Sequence, residues 1–285
     1  MKNARRKRRN VLELRQDLPE NIKRIVSKEH FTFEDLTDII RYLRSPDGCP
    51  WDREQTHESI EICLIEEAYE LIDAVKKKSA EKMTEEAGDV ILQSVFHAVM
   101  GEEEGSFTMQ DVIDAECVKM LSRHTHIFGA DRVKDSDGAL KAWEKNKYKE
   151  KHLESAGERV KDVPETLPAL LRAEKVQKRA AKFNFEFENI GDVFGKLKEE
   201  TEEFAAALAE GDGAHIAEEG GDLLFAAVNL LRFAGVESER ALAASTEKFI
   251  SRFIETEKLA LADGKKLDEL SAKELDGYYN EAKKR

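Results

Sequence analysis

The stretches IEEAYELIDAV (residues 65–75) and EEAGDVILQSV (85–95) decide the fold, because the chain carries each of them twice. KEETEEFAAAL (198–208) and EEGGDLLFAAV (218–228) follow at one common offset of 133 residues. Glu67, Glu70, Glu86 and Asp89 therefore correspond to Glu200, Glu203, Glu219 and Asp222. Acids make up 59 of the 285 residues, so four such matches arise by chance with odds of roughly 0.002 before the search is allowed for. The gap between the paired motifs is preserved as well, and the repeat reads as a duplication.

Around these stretches the apolar residues follow a helical period. Ile62, Ile65, Ala68, Tyr69, Ile72 and Val75 recur at spacings of three and four, forming one stripe of a helix. Val90 to Met100 is more apolar still and is expected to be a buried helix. No series of β-branched runs punctuated by hairpin turns is present, so the fold class is all-α. The pattern breaks between His152 and Pro168, where Gly157, Pro164 and Pro168 stand among polar residues, with Pro168 near a helix start. The expected organisation is a basic N-terminal tail (1–30), a first domain (31–151), a linker (152–167) and a second domain (168–285).

The repeated acids imply a geometry. Glu67 and Glu70 are three apart and share a helix face, as do Glu86 and Asp89. A turn near Lys78 and Ser79, midway between the two pairs, would return the second helix antiparallel and bring the four carboxylates to one level. The second half has its midpoint at Gly211, followed by Asp212 and Gly213, which are residues suited to a turn. Four carboxylates facing each other repel unless a cation stands between them, and all-oxygen ligands suit Mg²⁺ or Mn²⁺. A single EExxE is more often a solvated helix face paired with lysines. Two such motifs, each followed sixteen residues later by ExxD and an apolar run, favour a metal site.

Composition limits the alternatives. Hydrophobic residues are 41% and charged residues 37%, with five prolines, which suits a helix-rich globular chain. No segment approaches the roughly 18 apolar residues of a membrane span, and the charged N-terminus lacks the apolar core of a secretory signal. Cys49, Cys63 and Cys117 form no CxxC pair, so a reducing, cytoplasmic setting is expected rather than a disulfide framework. A net charge of −13 disfavours nucleic acid as a partner, except at the cluster Lys2, Arg5, Arg6, Lys7, Arg8 and Arg9, whose plain reading is a solvated arm. Glu102, Glu103 and Glu104 read as a solvated helix end.

EEAYE (66–70) with EEAGD (85–89), and EETEE (199–203) with EEGGD (218–222), resemble the EExxE…ExxD motif of the all-α nucleotide pyrophosphatases. GCPWDREQTH (48–57) resembles a segment of the two-domain MazG proteins, and PALLRAEKVQKRAA (168–181) resembles the entry to their second domain. The resemblance covers roughly residues 31–285. It implies tandem helical-bundle domains of the all-α NTP pyrophosphatase type, completed by dimerisation into a homodimer. It further implies Mg²⁺-dependent hydrolysis of nucleoside triphosphates, ATP among them, at the α-phosphate to monophosphate and pyrophosphate, for nucleotide-pool housekeeping. The metal ligands would be Glu67, Glu70, Glu86 and Asp89 in the first half. In the second they would be Glu200, Glu203, Glu219 and Asp222, which would also be catalytic.

Cations recur downstream. Lys119 and Arg123 match Lys248 and Arg252, each pair four apart on one helix face and able to hold phosphate oxygens. Trp143 with Lys147 resembles the aromatic and lysine pair near the end of family domains, and Tyr279 with Lys283 is its second-half counterpart. The halves differ elsewhere. Lys196 lies one turn before Glu200, where the first half has Cys63. Asn229, suited to bond a sugar or base, has Phe96 as its counterpart. The second half is therefore expected to be the principal active site. Two other classes compete: a noncatalytic helical scaffold, and a di-iron carboxylate bundle, which needs Glu-x-x-His on two helices where only Glu54–His57 fits.

Overall fold

The computed structural model describes residues 15–284, and every regular element among them is helical. The basic cluster at Lys2 to Arg9 lies outside the described residues. The chain divides into two compact units, Met1–Trp143 and Glu144–Arg285. The first contains α1 (Glu20–Val26), α2 (Phe33–Arg44), α3 (Pro50–Glu54), α4 (Glu61–Lys76), α5 (Ala80–Glu104), α6 (Met109–Arg123) and α7 (Thr125–Phe128). Helix α8 (Ser136–Glu150) carries the chain across the division. The second unit continues with α9 (Ala156–Lys161), α10 (Ala169–Ala181), α11 (Ile190–Glu210), α12 (Gly213–Phe233), α13 (Ser238–Ala262) and α14 (Ala272–Ala282). No described helix is long and apolar enough to cross a membrane.

Each unit is organised around one helical hairpin. Helix α4 ends at Lys76, Lys78 takes a left-handed φ of 53°, and the Ser79 hydroxyl caps α5 by accepting from the Lys82 amide. In the second unit Gly211 closes α11 with φ 79°, where a side chain would be strained, and Asp212 caps α12 through the Ala214 amide. The two turns fall where the midpoints of the carboxylate pairs predict them.

The first core gathers Ile40 of α2, Ile60, and Val95, Phe96, Ala98, Val99 and Met100 of α5, with Met109 of α6. The expected buried helix Val90–Met100 is thus buried along its second half, while Ile91 remains exposed. Arg44 is 8% exposed and donates to Glu103 and to the carbonyls of Asp52 and Gln55, fastening α2 to α5 and to the short α3. Arg41 pairs with Glu102 in the same way. Glu102 and Glu103 therefore link α5 to α2 rather than serving only as a solvated end: Arg44, buried on α2, requires an anionic partner there, while Arg41 and Glu103 stay exposed. The apolar stripe of α4 has a different fate. Ile62, Ile65, Tyr69, Ile72 and Val75 are exposed, and only Ala74 of this helix is buried.

In the second unit, Pro168 precedes α10 as expected, but residues 152–167 also contain α9. A Ser155–Glu158 capping box starts this helix. Arg159 lies over the rings of Tyr148 and Phe183, and Val163 is 2% exposed. Glu174 of α10, buried, accepts from both the amide and the hydroxyl of Ser238, which fixes the first turn of α13 to α10. Helix α14 starts at a second capping box, in which Glu274 accepts from the Ser271 amide at 3.0 Å and hydroxyl at 2.7 Å. These bonds, the Ser271 hydroxyl first, lower the Glu274 carboxyl to about 2. Its contribution to stability is therefore present above the usual carboxylate value of about 4.3 and is lost as pH falls through about 2. A carboxyl NMR titration should give a midpoint near 2 for Glu274. A midpoint near 4 would mean an open box.

Candidate metal and nucleotide site

The hairpins place the repeated carboxylates together, in different subsets. In the first unit Glu67 and Glu70 of α4 and Glu86 of α5 offer oxygens that all lie within 4.8 Å of one another. In the second the trio is Glu200 of α11 with Glu219 and Asp222 of α12, at the same separation. Asp89 and Glu203 fall outside the two trios, though each is close enough to act on its neighbours by charge. One member of each trio is buried, Glu86 in the first and Glu200 in the second.

Electrostatics show what such a cluster lacks. Burial raises the Glu67 carboxyl above its ordinary value, and the charges of Asp89 and Glu70 raise it further. Glu86 is raised by burial and then by Glu70, with which it shares a hydrogen bond. Glu203 is raised by burial and by Glu200. Carboxyls held close and pushed toward protonation are better satisfied by a cation, and three convergent oxygens fit a hard divalent ion. Thus both trios can hold a divalent metal on the chemistry of their donors.

The second trio has two basic neighbours, Lys196 and His215. Lys196 sits 2.6 Å from Glu200 and 2.7 Å from Glu199, and these bonds raise its ammonium well above the lysine range. His215 lies 3.0 Å from Glu210 and 3.3 Å from Glu219, and is raised by the bond to Glu210 and then by the charges of Glu210 and Glu219. The position corresponding to Lys196 is Cys63, as expected from the sequence. His215 is not among the residues singled out from the sequence. The signal available was its spacing of four residues before Glu219 on one helix.

A cleft of about 410 Å³ opens beside Glu200 and Asp222 of the second trio, within the range of small-molecule sites. Lys196, Glu200, Asp222 and Asn229 line it, with Phe185 and Phe225 as aromatic walls. Phe185 is 83% exposed, and Arg232 bridges Glu186 and Asn229. Sequence reasoning identified Lys196, Glu200, Asp222 and Asn229 but not Gln177, Arg232 or the Asn184–Phe187 segment, which carries no periodic signature. Asn229 is therefore in the cleft, whereas its counterpart Phe96 belongs to the core of the first unit.

The remaining candidates cluster by unit. Arg123 is buried and lies 5.2 Å from the ring centroid of Trp143, while Lys119 pairs with Glu116. Lys147 stands one turn after Trp143 on α8. In the second unit Tyr279 meets Phe249 at 6.0 Å, and Lys283 lies 4.7 Å from the Tyr279 centroid. The aromatic and lysine pair thus meets α13 at Phe249, on the helix that also bears Lys248, which is exposed, and Arg252. These four residues do not line the cleft.

Comparison with known proteins agrees with the duplicated geometry. The MazG nucleotide pyrophosphohydrolase domain is matched twice, at residues 55–128 and 191–254. A nucleoside triphosphate pyrophosphohydrolase/pyrophosphatase MazG of Thermotoga maritima is 44% identical over 88% of this chain and 95% of its own length. The nucleoside triphosphate pyrophosphohydrolase of Escherichia coli K12 is 38% identical over 87% of this chain and 96% of its own. The Bacillus subtilis protein YabN, of uncharacterised function, is 43% identical over 88% of this chain and 51% of its own length.

Proposed function

The chain belongs to the MazG nucleotide pyrophosphohydrolase family, and from that premise we propose that it hydrolyses nucleoside and deoxynucleoside triphosphates to monophosphate and pyrophosphate in the second unit. The observation that carries this reading is the pair Glu200 and Asp222, two of the trio's three carboxylates, lining one cleft with a lysine, aromatic side chains and an asparagine. Glu200, Glu219 and Asp222, with Glu203 beside them, would hold Mg²⁺, with Mn²⁺ as a substitute. Glu67, Glu70, Glu86 and Asp89 would hold it in the first unit. A bound Mg²⁺ supplies neutralisation of the triphosphate charge and a lowered pKa for water at the site.

The chain's own groups do the rest. Lys196 reaches the cleft and can turn from Glu200 to phosphate oxygens, donating three N–H bonds as a point charge. Asn229, held by Arg232, presents its amide to the sugar or base, and Phe185 and Phe225 exclude water from the base's faces. A glutamate oxygen of the cluster accepts the proton of the water that attacks the α-phosphorus, and pyrophosphate leaves in line. Outside the cleft, Lys248, Arg252, Tyr279 and Lys283 form a second cationic and aromatic patch for phosphates that extend beyond it, and Lys119, Arg123 and Trp143 form one in the first unit.

The exposed stripe Ile62, Ile65, Tyr69, Ile72 and Val75 supports a homodimer, since a contiguous apolar helix face in water calls for a partner. The free cysteines support a cytoplasmic setting, and the unspecified base in the relatives' names fits nucleotide-pool housekeeping. Incubation of the purified chain with a panel of NTPs and dNTPs in H₂¹⁸O should yield pyrophosphate and ¹⁸O-labelled monophosphate, abolished by EDTA. Diphosphate with orthophosphate, or label in pyrophosphate, would refute attack at the α-phosphorus.

A further inference from the structure

His215 stands in the first turn of α12, and its ring spans the hairpin turn from Glu210, the last residue of α11, to Glu219. Its Nδ1 is 3.0 Å from a Glu210 oxygen and its Nε2 is 3.3 Å from Oε1 of Glu219. The first contact is a hydrogen bond, and the second is an ion-pair contact between a ring nitrogen and a carboxylate oxygen. Two nitrogens on opposite sides of a rigid ring thus tie the end of one helix to a carboxylate on the next.

We propose that His215 is a positioning residue for the second-unit metal site. It holds one oxygen of Glu219, so that the other faces Glu200 and Asp222, while Glu210 fixes the plane of the ring. The inference rests on Glu219 being a metal ligand, as assigned above. A glutamate side chain has several rotatable bonds, and ordering it on metal binding costs rotamer freedom. A carboxylate already oriented loses less, which is how groups behind metal ligands raise affinity without touching the ion.

The first unit has no such device. The positions equivalent to Glu210 and His215 are Lys77 and Lys82, and Lys77 pairs instead with Asp73 at 2.6 Å. Glu86, the counterpart of Glu219, faces Glu70, another acid of its own trio. The two trios thus offer the same kind of donors with different preorganisation, and the second unit should bind metal more tightly. His215 is only half-buried, so its truncation leaves little cavity and removes chiefly the tie.

The test is a Mn²⁺ titration of the full chain without nucleotide, followed by the EPR signal of free Mn²⁺. A Glu67→Gln, Glu70→Gln background silences the first trio. His215→Ala should raise the Mn²⁺ Kd about tenfold, and Glu210→Gln should raise it less. His215→Gln, which restores an N–H donor, should recover most of the loss, and all variants should melt as the parent does. An unchanged Kd in His215→Ala would overturn the proposal. A chain that shows the expected Kd changes yet cleaves no triphosphate would overturn the activity assigned above and leave the role of His215 standing.

Discussion

Glu219→Gln is expected to lower kcat/KM for triphosphate cleavage by about a thousandfold, whereas Glu86→Gln, at the equivalent position of the first unit, lowers it less than tenfold. Glutamine keeps the shape of the side chain and an oxygen able to accept from His215, so the loss isolates the ligand charge. Transition-state stabilisation by a metal ion amounts to several kcal/mol. About 4 kcal/mol corresponds to a thousandfold, since each 1.36 kcal/mol is tenfold. The asymmetry follows from surroundings rather than from the acids: the second trio has Lys196 and the cleft residue Asn229, where the first has Cys63 and the core residue Phe96. Steady-state rates on the triphosphate that the parent cleaves fastest, read as pyrophosphate release, decide the matter. Equal losses in the two variants would mean that both units share the work. Retention of more than a tenth of the activity in Glu219→Gln would remove this residue from the metal site.

Gly48→Ala is expected to destabilise the first unit by about 3 kcal/mol or more, at the severe end of single substitutions. A Cβ at this position would stand 2.2 Å from the Tyr42 carbonyl oxygen and 2.3 Å from that of Leu43. Both are backbone atoms at the end of α2, and the Cys49 amide is already bonded to the Leu43 carbonyl, so neither can move aside cheaply. The segment that would be forced away carries α3, whose backbone carbonyl at Asp52 accepts from Arg44. Displacing it would leave a buried guanidinium short of partners. Thermal melting should show a drop of roughly 10 °C in the transition of this unit. A drop of less than about 2 °C would mean that the α2–α3 turn yields without cost. The glycine in GCPWD is therefore explained by backbone approach alone, independently of any role in binding.

Much of this architecture was legible before any coordinates. Two acid pairs at a fixed spacing imply two helices and a turn between them, because a period of 3.6 residues sets which side chains share a face. Hence Lys78 and Gly211 fell at the turns. Two kinds of feature stayed hidden. Which three of four acids converge depends on the rotation of each helix, and this separates Glu70 from Asp89 in one trio and Glu203 from Asp222 in the other. Contacts between residues distant in sequence carry no periodic trace either. The Arg41–Glu102 and Arg44–Glu103 clamps, and the Phe185–Phe187 segment beside the cleft, are of this kind. The stripe on α4 was visible as a stripe, but its exposure was not, since periodicity marks an apolar face without saying what covers it.

The brevity of the two hairpin turns also bears on how the chain reaches its native state. Lys77 to Ser79 and Gly211 to Asp212 close loops of two or three residues, for which the entropy of closure is small. Contacts so local form early and fast, ahead of the pairing of α2 with α5 or of α10 with α13. Each hairpin is then a folding nucleus that assembles like charges at its outset. The ammonium of Lys196 meets Glu200 within a single turn of α11, so the second nucleus brings a counterion to its trio, where the first has Cys63 at the equivalent position.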